Sequence, residues 1–206
     1  MPLSIRTSAK YGAVQDRAAF HAIVLAAGFG SRFGGGKLLA SWRGGALIDG
    51  ALDAAMAAPV AQVWVVVGAD PAVEAHATSR CDVRIVQAPD HALGLSASLK
   101  AGIGALPADA TGALILLGDM PLTPQSVLRP LVEAVTGGAP AAVPVWQGRQ
   151  GHPAAISARL FPQILALEGD RGARAVLDAL GDALALIAAP DGGVLLDVDR
   201  PEDLPS

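Results

Sequence analysis

The chain has 206 residues, 52% hydrophobic and 17% charged, with a formal net charge of -4. An average domain is about 25% charged, so this composition excludes intrinsic disorder. The small negative charge gives no broad basic surface for duplex nucleic acid, and polar residues, Gly or Pro interrupt every apolar run before the ~20 residues of a bilayer span. The single Cys81 excludes an internal disulfide and any multi-cysteine metal site. Residues 1–20 carry Arg6, Lys10 and Arg17 without an apolar core. They do not read as a secretory signal but as a flexible N-terminal extension, followed by a single domain over 21–206 and implying a cytoplasmic protein.

In chain order, Ala22–Ala27 (AIVLAA) reads as a buried strand and Asp49–Ala58 as a helix, with Asp49 as a cap and Pro59 as its stop. Val63–Gly68 is the clearest buried strand, Pro71–Ser79 a short helix with Pro in its first turn, and Val83–Gln87 a third strand. Ser96–Ala105 is helical, Ala113–Leu117 (ALILL) a strand and Pro124–Val135 a helix. Ala141–Trp146 reads as an edge strand, because Pro144 cannot donate to a ladder. Helices follow near Ala158–Leu167 and Gly172–Leu180, then two late strands, Ala185–Ala189 and Val194–Val198. Continuously apolar strands alternating with helices predict an α/β fold: a three-layer, Rossmann-like open sheet, mostly parallel, with helices on both faces. Such sheets bind ligands beyond the carboxyl ends of their strands, so the residues following each strand matter most.

After the first strand comes LAAGFGSRFGGGK, Leu25 to Lys37. Gly28, Gly30 and Gly34–Gly36 allow backbone N–H groups to approach phosphates closely, and Arg32 and Lys37 add two cations. A flexible hairpin with incidental charges is the plainer alternative. It is not a Walker loop, since Ser31 stands where glycine is needed and Leu38 follows Lys37; nor is it a dinucleotide fingerprint, since Phe33 replaces the third glycine.

Asp119 follows ALILLG, placed either to hold a divalent cation or to cap the turn before Pro121 and Pro124. Asp197 and Asp199 share a face if their segment is extended. Asp197 reads equally as a support for that site or as an exposed acid, and Glu202 and Asp203 as early-helix acids. Gly94 permits close approach, and Ser96 or Ser98 either bonds a base or ribose or, for Ser96, caps the helix. His152, between Gly151 and Pro153, reads as an exposed loop residue. Arg171 and Arg174 form a cationic turn that either binds an anion or is plain surface charge. His21, His76 and His91 show no ligand spacing and receive no role.

The loop LAAG-x-G-x-R-x-G-x-x-K resembles the signature of the MobA-like nucleotidyltransferase family, in particular its molybdenum cofactor cytidylyltransferase branch. Five further stretches fall in the family's order: GLSASL (94–99), GDMP (118–121), GHP (151–153), GDRGAR (169–174) and LDVDRPEDL (196–204). The resemblance covers residues 21–204 and implies the nucleotide-diphospho-sugar transferase type of sheet. It further implies Leu25, Ala26, Ala27, Gly28, Gly30, Arg32, Lys37, Gly94, Ser96 and Ser98 as nucleotide-binding, with Arg32, Lys37 and Asp119 catalytic. Asp119 and Asp199 would hold Mg²⁺; Arg200 stands where relatives have Thr, which weakens the local match but leaves the carboxylate. His152, Arg171 and Arg174 would bind the acceptor. The implied reaction transfers CMP from CTP to molybdopterin with release of pyrophosphate, Ala27 in LAAG favouring CTP over GTP. Alternatives are guanylyl transfer, transfer to a sugar or alcohol phosphate, and a non-catalytic nucleotide-binding or cofactor-binding chaperone. A molybdoenzyme or its chaperone is the implied protein partner; nucleic acid and membrane are not.

Overall fold

Seven strands lie side by side in the order β10–β7–β9–β6–β1–β4–β5, with β8 pairing outside this path against β7. The computed structural model describes residues 20–28, 33, 35–68, 70–167 and 173–204. The strands are β1 (Phe20–Ala26), β4 (Val63–Val67), β5 (Arg84–Gln87), β6 (Gly112–Leu117), β7 (Ala141–Trp146), β8 (Arg149–Gln150), β9 (Ala154–Ser157) and β10 (Leu184–Ala188), while β2 (Ser41–Trp42) and β3 (Gly45–Ala46) form a separate hairpin. The helices are α1 (Asp49–Ala57), α2 (Pro71–Arg80), α3 (Leu95–Ala105), α4 (Leu128–Thr136), α5 (Phe161–Leu165) and α6 (Arg174–Asp178). The pairs β5–β4, β4–β1, β1–β6 and β7–β10 are parallel, and β9 runs antiparallel to β6 and β7.

Successive strand residues point to opposite faces, and both faces are buried. Ala22, Val24 and Ala26 of β1 pack with Val65 and Leu114 against Leu52 of α1, Val73 of α2 and Leu128 and Leu131 of α4. Ile23 and Leu25 pack with Val66 and Ile115 against Leu99 and Ile103 of α3, Ile164 of α5 and Leu177 of α6. The result is the expected three layers with a mostly parallel sheet. Among the described residues no helix is long and apolar enough to cross a membrane.

Three expectations are corrected. β7 is an interior strand, not an edge: Pro144 pairs in register with Ile187 of β10, while its carbonyl accepts from the Gly151 N–H at 2.8 Å. The N–H it lacks would point to that same side, so the parallel ladder to β10 loses no bond. Val194–Val198 is not a strand; a 3-10 turn, Gly192–Leu195, leads into an extended segment. Asp49 is the first residue of α1 rather than its cap, which is Ile48. The Asp49 carboxylate instead accepts from the Ala46 N–H at 2.9 Å and pairs with His76 Nε2 at 2.6 Å, tying the β2–β3 hairpin to α1 and α2.

Candidate active site

β1, β4 and β6 end level, with Ala26 opposite Val67 and Leu25 opposite Leu117. The chain therefore leaves the sheet at three adjacent points, Ala27–Gly28, Gly68 and Gly118–Asp119. The Gly118 N–H donates to the Leu25 carbonyl at 2.9 Å and carries the pairing one residue past the strands. This is the crevice that open parallel sheets offer a ligand.

Gly35 and Gly36 take φ values of 100° and 65°, which disfavour any residue with a Cβ. Their turn starts a short 3-10 helix, Lys37–Leu39, and buries Lys37 to 8% exposure. Its Nζ donates to Asp119 Oδ2 at 2.8 Å and to Asp199 Oδ1 at 3.1 Å. Burial alone would lower the Lys37 pKa. The hydrogen bonds and charges of Asp119 and Asp199 outweigh it and hold the ammonium above the ordinary lysine value.

Asp199 arrives from the far end of the chain. The Val198 N–H donates to the Asp119 carbonyl at 3.1 Å, joining the C-terminal segment to the end of β6. Asp203 Oδ2 accepts from the N–H groups of Asp199 and Arg200 at 3.0 and 2.8 Å. Asp197 is exposed.

A cavity of about 170 Å³ opens beside this centre, with Ala27, Gly28, Lys37, Gly68, Asp70 and His91 among its walls. A second, also about 170 Å³, shares Gly28, Lys37 and Leu38 and extends to Leu95, Leu117 and Asp119. Lys37 thus forms part of the wall of both. His91 was missed by the sequence reading because a lone histidine has no spacing to betray it. Its Nδ1 lies 2.8 Å from the Ala88 carbonyl, which can only accept, so Nδ1 carries a proton.

Of the other expected residues, Leu25, Ala26 and Ala27 are buried at the end of β1 and Gly28 is exposed. Gly94 (φ 111°) is the N-cap of α3 and Ser96 lies inside the helix, so the reading of Ser96 as its cap residue is set aside. Ser96 and Ser98 are buried in the first turns of α3. His152 is half-buried rather than exposed; its Nδ1 is enclosed and makes no hydrogen bond among the described residues. Burial lowers its pKa; the charge of Arg174 adds to that effect, while Asp119 and Asp197 oppose it. Arg174 opens α6 and pairs with Asp178 at 3.3 Å. Gly30, Arg32 and Arg171 lie outside the described residues.

No group of three or more His, Cys, Asp or Glu converges on one point among the described residues. Asp119 and Asp199 instead offer two carboxylates whose side chains are 28% and 48% exposed. That donor set fits a hard divalent cation, which keeps several waters and completes its shell with substrate phosphate oxygens.

The family model for the MobA-like NTP transferase domain matches residues 22–184. The chain belongs to the MobA-like nucleotidyltransferase family. This MobA-like enzyme is 25% identical to the molybdenum cofactor cytidylyltransferase of Escherichia coli (strain K12), over 90% of this chain and 93% of the relative. It is 31% identical to the nicotine blue oxidoreductase of Paenarthrobacter nicotinovorans, over 88% and 93%. Its fold matches the crystal structure of Rv0371c from Mycobacterium tuberculosis H37Rv with a TM-score of 0.79 and 26% identity, over 91% and 96% of the two chains; that protein is also known as a manganese complex. MobA-like nucleotidyltransferases typically use a divalent metal. The fold is of the nucleotide-diphospho-sugar transferase type, and the chain is a nucleotidyltransferase.

Proposed function

We propose that this enzyme transfers CMP from CTP to the molybdenum cofactor, using Mg²⁺ and releasing pyrophosphate. The observation that carries the reading is Lys37, which joins Asp119 and Asp199 at the mouth of the glycine loop. The cytidylyltransferase relative supports the choice of nucleotide and acceptor.

In this reaction an acceptor phosphate oxygen bonds to the α-phosphorus of CTP, the bond from that phosphorus to the bridging β-oxygen breaks, and pyrophosphate leaves. The attacking oxygen is already anionic, so no strong protein base is needed, and catalysis rests on positioning and charge neutralisation. Lys37 and Arg32 bind the triphosphate, and Gly28 and Gly30 are further nucleotide-binding positions of the same loop. Leu25–Ala27 and the Gly94, Ser96 and Ser98 stretch face the nucleoside. Asp119 and Asp199 would hold the cation, which when bound would neutralise phosphate charge and polarise the reacting phosphoryl group. His152, Arg171 and Arg174 bind the acceptor.

The test is pyrophosphate release from CTP, GTP, ATP and UTP with purified molybdenum cofactor. Release with CTP alone is expected. Release with GTP alone would reassign the enzyme to guanylyl transfer, and release with none of the four would overturn the acceptor.

A further inference from the structure

The segment from Asp119 to Leu122 is approached at two points where only glycine fits. On α1, a Cβ at Gly50 would clash with the Pro121 carbonyl oxygen. In the Gly192–Leu195 turn, a Cβ at Gly193 would clash with the Leu122 carbonyl oxygen. Both partners are backbone, so no side-chain rotation relieves either contact. Gly193 is held in place by Asp191, whose Oδ1 accepts its N–H at 2.8 Å. Beyond it the Val194 carbonyl accepts from the His152 N–H at 2.8 Å, and the Val198 N–H donates to the Asp119 carbonyl at 3.1 Å. Val194 and Val198 are 0% and 1% exposed. The next residue is Asp199, with its carboxylate on Lys37.

We propose that Gly193 is a positioning residue for Asp199. Its missing Cβ lets the Gly192–Leu195 turn close on the Leu122 carbonyl, and that closure carries Asp199 to Lys37 and Asp119. A side chain at 193 would lift the turn, stretch the Val198–Asp119 hydrogen bond and draw Asp199 out of the centre, without touching substrate. The inference rests on the role given to Asp199 in the proposed reaction.

The test is a double-mutant cycle of Gly193→Ala and Asp199→Asn in the full chain, read as kcat and KM for CTP, together with amide exchange at Val198. A displacement near 1 Å can cost about 10²-fold in rate, so Gly193→Ala is expected to lower kcat by that order with KM close to wild type. In the Asp199→Asn background it should add almost nothing. Its Val198 N–H should exchange faster while the amides of β1 and β4 keep wild-type protection. Equal losses in both backgrounds, or unchanged Val198 exchange, would overturn the inference. Wild-type kcat in Asp199→Asn alone would remove Asp199 from the proposed reaction and end both readings. If Gly193→Ala does not fold, Val198→Ala loosens the same segment without a clash and is expected to show the same non-additivity with Asp199→Asn; additive losses would overturn the inference.

Discussion

Lys37 Nζ stands 2.8 Å from Asp119 Oδ2, although 82 residues separate them in sequence. The pair spans the crevice between the glycine loop and the end of β6, and Asp199 completes it at 3.1 Å. Two carboxylates so close would repel each other without the ammonium between them, so each member supports the placement of the others.

Removing either partner should therefore cut turnover steeply while leaving the fold intact. Lys37→Ala and Asp119→Ala are each expected to lose about 2.7–4 kcal/mol of transition-state stabilisation, a fall of about 10²–10³ in kcat, by analogy with other preorganised electrostatic contacts. Circular dichroism should remain native. Wild-type turnover in either variant would sink the assignment.

The same ion pairs make stability sensitive to alkali. Lys37 is held above the ordinary lysine value once the hydrogen bonds and charges of Asp119 and Asp199 overcome its burial. Their contribution is whole below about pH 10 and is lost as the pH rises through the folded value. Urea midpoints measured from pH 9 to 12 should fall for the wild type. In Lys37→Met the fall should be smaller, and an equal fall would place the sensitivity elsewhere.

His152 gives the opposite dependence. Burial holds its imidazole below the ordinary histidine value, so the neutral form is favoured in the fold. The stability this contributes is present above about pH 6.5 and is lost as the pH falls through the folded value. Comparison of urea midpoints at pH 7.5 and pH 5 should show a smaller acid loss for His152→Gln than for the wild type. Identical losses would show that His152 does not carry the effect.

Gly68 tests the first cavity. A Cβ there would meet the Ala27 carbonyl at 2.9 Å and the His91 ring at 3.1 Å, pushing one cavity wall against another. Gly68→Ala is expected to weaken nucleotide binding about tenfold, the equivalent of ~1.4 kcal/mol, and to leave kcat nearly unchanged. Calorimetric titration with CTP reads the first effect, and an unaltered affinity would place the nucleotide outside this cavity.

The layer order and the crevice were legible in the chain because each depends on local patterning. VWVVVG and ALILL are continuously apolar, which only a strand covered on both faces requires. The glycine loop and Asp119 announced themselves by following such strands. β9 and the β2–β3 hairpin gave no such signal, since two to four residues cannot display a period. Val194–Val198 misled for the opposite reason: Val194 and Val198 are buried, but the backbone bonds of the segment go to His152 and Asp119, not to a ladder.

Residue order alone determined the α/β class, the family motifs and the chemical types available at the strand ends, because these follow from hydrophobic period and side-chain identity. Only the tertiary structure decided which charges meet. That Lys37 turns inward depends on the dihedrals of Gly35 and Gly36, and that it finds Asp199 depends on how closely Gly193 lets the C-terminal segment approach. The burial of His152 and the place of His91 in the cavity wall are likewise set by neighbours distant in sequence. The field at the site is set by where Lys37, Asp119 and Asp199 converge, and distance governs that field more strongly than the total charge does.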